Sequence, residues 1–155
     1  MVSSISVTYR PSNGIYFESA DIGNCFLWRE ISQVHKTQNG IYQRNGCLIS
    51  LLTDFGRINP CYPDTHGAQN DTILYTGGGR RGDQRLDVRN QAVLDAVVSR
   101  ISVPLFNKLA RGKWEYLGLW TVENGEYVFE QNQDRMVWKF TLKADRGEGA
   151  MEVLT

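Results

Sequence analysis

The sequence is poor in cysteine, histidine and proline, has no excess of charge of either sign and no long apolar run, and each shortage removes a class of protein. Its three cysteines, Cys25, Cys47 and Cys61, are odd in number and widely spaced, which argues against a disulfide framework and for reduced, mostly buried thiols. Only His35 and His66 stand beside them. The paired-cysteine spacing of structural zinc modules is missing, so no metal site is expected. No stretch approaches the ~20 apolar residues that a membrane span needs. Lysine plus arginine (17) equals aspartate plus glutamate (17), which excludes a broad grip on polyanions driven by net charge and leaves such work to local charge. The opening Met-Val-Ser-Ser-Ile-Ser has neither the basic start nor the apolar centre of a signal peptide, so the cytoplasm is the expected location. Signatures of catalysis are equally scarce. The chain has no Lys-Ser/Thr phosphate loop, no GxGxxG turn opening a helix, no GxSxG elbow and no HExxH helix. Neither catalytic residues nor a cofactor are expected.

What is present suits one domain of 155 residues with 41% apolar and 11% aromatic side chains. Cys25 to Ile31, Gly46 to Thr53 and Asp71 to Thr76 are short apolar and β-branched runs bounded by turn residues, which predicts strands. From Asp87 the period changes. Val88, Ala92, Val93, Ala96 and Val97 recur at helical spacing behind Asp87 as N-cap, and the helix should fade by Ser102 to Pro104. Trp114 to Glu123, Gly125 to Gln131 and Met136 to Leu142 return to strand character, with Asn124-Gly125 as a hairpin signal. The class is α+β and β-dominated. Residues 1–22 read as an arm or peripheral strands, 23–144 as the folded domain, and 145–155 as a tail or the start of a linker. The chain looks like a module of something longer.

The most informative stretch is Tyr75-Thr76-Gly77-Gly78-Gly79-Arg80-Arg81-Gly82-Asp83-Gln84. Four glycines within six positions allow positive φ and close approach to a partner, and two adjacent arginines can hold phosphates by charge and bidentate hydrogen bonds. With Gln38 to Gly46, Tyr62-Pro63-Asp64, Gly82-Asp83 and Asn90, this stretch resembles the SRA (SET and RING associated, or YDG) modified-cytosine recognition domain. The similarity is to the bacterial form fused to HNH nucleases in methyl-directed restriction enzymes. Leu105-Phe106, Gly112 to Gly118 and Met136 to Leu142 extend the similarity over roughly Gly23 to Ala144.

The resemblance implies a PUA-like β-barrel with one main helix packed on it, which flips a modified cytosine out of the duplex into a pocket. Extrusion costs a few kcal/mol, which stacking and edge hydrogen bonds must return. Tyr62 and Tyr75 are then the two aromatic walls, Asp64 the acceptor for the exocyclic amine with Asp71 as a weaker substitute, and the backbone of Thr76 and Gly77 the reader of the remaining edge. Arg80, Arg81 and Arg85, with Lys36 and Arg44, would hold the DNA backbone, and Gln38 and Asn39 would approach the gap left in the helix. The implied partners are double-stranded DNA carrying 5-methylcytosine or 5-hydroxymethylcytosine and a nuclease domain, HNH or other, in the same parent chain. Two alternatives belong to other classes: a PUA-like RNA-binding module, and a small hydrolase using Cys61 with His66 or His35.

Overall fold

Residues 22–146 are described in a computed structural model of the chain; the expected arm up to residue 21 and the expected tail from residue 147 lie outside the described residues. Each run predicted as a strand contributes to one, two of them merging into a single long strand, and three further strands appear. In chain order the elements are β1 (Cys25–Phe26), α1 (Trp28–Ile31), β2 (Ile41–Arg44), β3 (Cys47–Thr53), β4 (Thr65–His66), β5 (Thr72–Thr76), α2 (Val88–Ser99), β6 (Val103–Ala110), β7 (Lys113–Glu130) and β8 (Arg135–Ala144). No helix among the described residues is long and apolar enough to cross a membrane.

The strands form one sheet in the order β2-β3-β6-β7-β8-β5-β4, with β1 added beside β7. β3 and β6 run parallel, Leu51 opposite Leu105, and the other pairs are antiparallel. The sheet is open where the resemblance implied a closed barrel: its end strands β2 and β4 do not pair. The two-residue β4, exposed at both positions, offers too short a ladder to close it.

Alternation along the strands gives the sheet two apolar faces. Leu51, Leu105, Ile73, Phe140 and Leu142 face α2, which buries Ala92, Val93 and Ala96 against them, while the neighbouring Leu52 and Phe106 face Ile31, Val34, Trp114 and Tyr116. Asp87 caps α2 as expected, its carboxylate accepting from the Asn90 amide at 2.9 Å.

Three local expectations change. Cys25 to Ile31 is not one strand: after β1 the Glu30 carboxylate turns back to accept from the Leu27 amide at 2.8 Å, and Trp28 to Ile31 close a single helical turn. Asn124-Gly125 is not a hairpin. β7 runs straight through it with a register shift between Val122 and Asn124, and a Cβ at Gly125 would lie 2.8 Å from Leu94 and 3.0 Å from Phe140, so this glycine makes room for packing. The reversal comes later, at Gln131 to Asp134, where Asp134 takes φ 52°. Finally, the thiols are not mostly buried: Cys25 and Cys47 are exposed and Cys61 is half-buried.

Candidate functional site

β5 carries Tyr75 and Thr76 to the edge of the fold, where Gly77-Gly78-Gly79 replaces regular structure. Its pairing with β8 sets Tyr75 opposite Phe140 and Thr76 opposite Lys139. Beside this bend lies a cavity of ≈ 600 Å³, lined by Tyr62, Asp64, Tyr75, Thr76 and Gly77 together with Gln38 and Asn39 from the loop before β2. The volume falls in the range of small-molecule sites. Seven residues singled out in three distant segments of sequence thus line one space.

Tyr75 is only 3% exposed. Its hydroxyl faces the Leu52 carbonyl at 2.9 Å and the Gly40 carbonyl at 3.1 Å, so the ring is pinned between β3 and the loop before β2. Burial pushes the phenol well above its ordinary range, and it remains a donor at every pH the protein would meet. Gly40 is needed there: a Cβ would stand 3.0 Å from the Tyr75 hydroxyl. Tyr62 is half-buried on the turn leading to Asp64.

Asp64 is 3% exposed, yet its carboxylate is held by donors. Thr53 gives its hydroxyl to Oδ2 at 2.5 Å and the Thr76 amide donates to Oδ1 at 2.5 Å. Burial is the larger influence and lifts the carboxyl from 3.8 to about 6; the bonds from Thr53 and Thr76 and the Lys139 charge act against it. The Thr76 hydroxyl is a third donor to the carboxylate, and of its four lone-pair sites one remains for a donor in the cavity. Asp71, the weaker substitute, is exposed at the start of β5, pairs with Arg146 and does not line the cavity.

Buried amides fix the glycine bend. Gln84 donates from Nε2 to the carbonyls of Gly77 (2.7 Å) and Gly79 (3.1 Å), and its Oε1 accepts from the Trp138 amide. Asn90 accepts from the Gly78 amide at 2.7 Å and donates to the carbonyls of Gly78 and Arg85. Arg135, itself 5% exposed, donates to the carbonyls of Gly79, Gly82 and Cys61. Four segments are therefore tied to one bend, and it is a rigid wall of the cavity.

The cations divide. Arg80 lines the cavity, joined by Arg89, the next arginine along the chain after Arg85, and by Lys108, which the sequence did not single out. Arg81 lines an adjoining depression of ≈ 670 Å³ that shares Arg80 and Asp64 with the first. Arg85, Lys36 and Arg44 are exposed and line neither. Thr53, Lys139 and Trp114 were also missed; a lysine inside the apolar run Met136 to Leu142 was the one visible signal among them. The two histidines of the hydrolase alternative are engaged elsewhere. His35 is fully buried, with Nδ1 2.7 Å from the Ser50 hydroxyl and Nε2 2.6 Å from the Asn39 carbonyl, and the His66 ring stacks on Phe55 at 4.7 Å.

Comparison with known proteins adds a family. The model of the ScoMcrA-like SRA domain family matches residues 23–146. Among curated proteins nothing matches. Among solved structures, the SUVH5 SRA domain in complex with hemi-methylated CG DNA superposes with a TM-score of 0.69 at 24% identity, over 83% of this chain and 91% of that one. The same domain bound to fully hydroxymethylated CG DNA gives 0.66 at 24% identity, over 82% and 90%. A modification-dependent restriction endonuclease, TagI, gives 0.66 at 19% identity over 83% of this chain, which spans about half (51%) of TagI. These likenesses show a shared fold.

Proposed function

Because the chain belongs to the ScoMcrA-like SRA domain family, we propose that it is a DNA-recognition module that takes a flipped, modified cytosine, 5-methylcytosine or 5-hydroxymethylcytosine, into the cavity beside its glycine bend. The observation that carries this reading is the convergence of Tyr62, Asp64, Tyr75, Thr76 and Gly77 on one space of ≈ 600 Å³. A flipped pyrimidine needs an aromatic face, an acceptor for its exocyclic amine and backbone groups for the rest of its edge. Tyr75 with Tyr62 supplies the first, at ~1–3 kcal/mol of stacking per base. Asp64 supplies the second, and the Thr76–Gly77 backbone the third. Gln38 and Asn39 approach the vacated place in the helix, while Arg80, with Arg89 and Lys108, holds phosphates at the mouth; Arg81, Arg85, Lys36 and Arg44 contribute from further out.

The SUVH5 structures, whose domain holds methylated or hydroxymethylated DNA, support this reading by fold. The TagI likeness supports a role in a modification-dependent restriction enzyme; in this reading the chain is the specificity half, the nuclease lies in another domain of the parent chain, and the setting is the cytoplasm. In this role the module itself has no catalytic residues.

The test is a titration of matched duplexes carrying cytosine, 5-methylcytosine or 5-hydroxymethylcytosine at one position. Tighter binding of a modified duplex is expected, and equal affinity for all three defeats the proposal. Stronger binding of unmodified single-stranded RNA would favour the RNA-binding alternative.

A further inference from the structure

Behind the cavity wall, Lys139 is an amine held where few lysines sit, only 18% of its side chain exposed. Its Nζ donates to the Thr76 hydroxyl at 2.7 Å and to the Pro63 carbonyl at 3.1 Å, and lies 3.7 Å from the Glu130 carboxylate. The Thr76 hydroxyl in turn bonds to Asp64. An ammonium, a hydroxyl and a carboxylate thus form one line from β8 through β5 to the turn that bears Asp64.

We propose that Lys139 is a positioning residue for base recognition: it fastens the Pro63–Asp64 turn to β5 and, through the Thr76 hydroxyl, holds the Asp64 carboxylate charged as an acceptor for the base. This deepens the modified-cytosine reading and rests on it. A carboxylate so deeply buried is costly unless it is paired and hydrogen-bonded. The groups around it come from every neighbouring element. Thr53 on β3, Tyr75 and Thr76 on β5 and Lys139 on β8 surround it, while Asp54 and Tyr62 on the intervening loop, with Arg80 and Arg89, line the same cavity. Lys139 is the charge that favours the ionised form, and Glu130 draws on that charge from the other side. Burial lowers the Lys139 amine, and the carboxylates of Asp64 and Glu130 act against this without cancelling it.

The proposal fixes the acid limit of recognition. Ionised, Asp64 is a charge-assisted acceptor for an exocyclic amine, and protonation weakens it and puts a competing O–H donor in its place, so preference for the modified duplex should weaken as pH falls through the Asp64 midpoint, about 6. The experiment uses the 155-residue chain in two pH series. In the first, carbon-detected NMR follows the Asp64 carboxyl in the unliganded protein. Lys139→Met should raise its midpoint by about half a pH unit or more, Lys139→Arg should restore it, and Glu130→Gln should lower it. In the second, duplexes with and without a single 5-methylcytosine are titrated, and loss of preference should track the same midpoints. An Asp64 midpoint unchanged in Lys139→Met overturns the proposal. Should that variant not fold, Glu130→Gln decides alone: a lowered midpoint supports the coupling, and an unmoved or raised one overturns it. A native chain indifferent to methylation at every pH, with midpoints that still move, overturns the recognition role specifically and is distinguishable from failure of the Lys139 contact.

Discussion

The Tyr75 hydroxyl and ring do separable work. The hydroxyl serves buried carbonyls at Leu52 and Gly40, while the ring lines the cavity. Tyr75→Phe keeps the ring and leaves the Leu52 carbonyl without this donor, which costs ~1–3 kcal/mol. Tyr75→Ala removes the wall as well, with a truncation cost of about 3–5 kcal/mol. Urea unfolding should order the two variants accordingly. Duplex titration should then show that Tyr75→Phe still prefers methylated DNA, whereas Tyr75→Ala retains only weak, sequence-independent attachment through its cations. A Tyr75→Ala chain with full preference would remove the ring from recognition and leave it a core residue of β5.

At the scale of elements, the glycine bend is built to tight clearances in one place and open in another. A Cβ at Gly77 would meet Asn90 Oδ1 at 2.7 Å, Trp138 Cβ at 2.8 Å and Gln84 Oε1 at 3.0 Å, whereas at Gly82 it would meet nothing within 4 Å. Gly77→Ala should therefore displace the amide clamps, cost about 1–3 kcal/mol of overpacking and weaken binding of the modified duplex. Gly82→Ala, strained only by its φ of +65°, should lose about 1–2 kcal/mol and keep the preference. Unfolding and binding measured on both variants separate the two effects. The bend was legible in sequence because four glycines near arginines have few other uses, and so was α2, whose apolar period and Asp87 cap agree. The clamps were legible only as residues: Gln84 and Asn90 stand in the pattern that carries the resemblance, but nothing in the sequence shows that they hold the carbonyls of Gly77 and Gly78, and Arg135 gives no signal because the Gly79 carbonyl that it holds lies far away in sequence. β6 was hidden by Pro104, which stands opposite Leu119 of β7, next to the register shift between Pro104 and Phe106 and just before the ladder with β3 begins at Leu105. The Asn124-Gly125 pair misled for a related reason: the same small residue that allows a turn also admits the Leu94 side chain of α2.

The whole molecule has 17 cationic and 17 anionic side chains, so in the proposed function attachment to DNA rests on the few cations at the cavity mouth and not on net charge. Arg80→Ala should weaken binding to modified and unmodified duplexes alike and lower the dependence of log affinity on log salt by about one unit, read from titrations over a salt series. Stability at equilibrium turns on a second balance, between two buried titrating groups on either side of β3. The Asp64 carboxyl is raised from 3.8 to about 6 by burial, so between those values the folded chain keeps a proton that the unfolded chain has released, and stability falls as pH rises. The His35 ring is lowered from 6.5 to about 4 by burial, against its bond to the Asn39 carbonyl. Over nearly the same interval the unfolded chain therefore holds the proton, and stability falls as pH drops. At ~1.4 kcal/mol per pH unit each effect amounts to roughly 3 kcal/mol, with opposite sign. The native chain should accordingly show a nearly level unfolding free energy between about pH 4 and pH 6, measured by urea denaturation at successive pH values. Removing either group should unmask the other: Asp64→Asn becomes more stable as pH rises across the interval, and His35→Gln becomes less stable, each by roughly 3 kcal/mol. A native profile as steep as that of either variant would mean that the two groups are not titrating against each other.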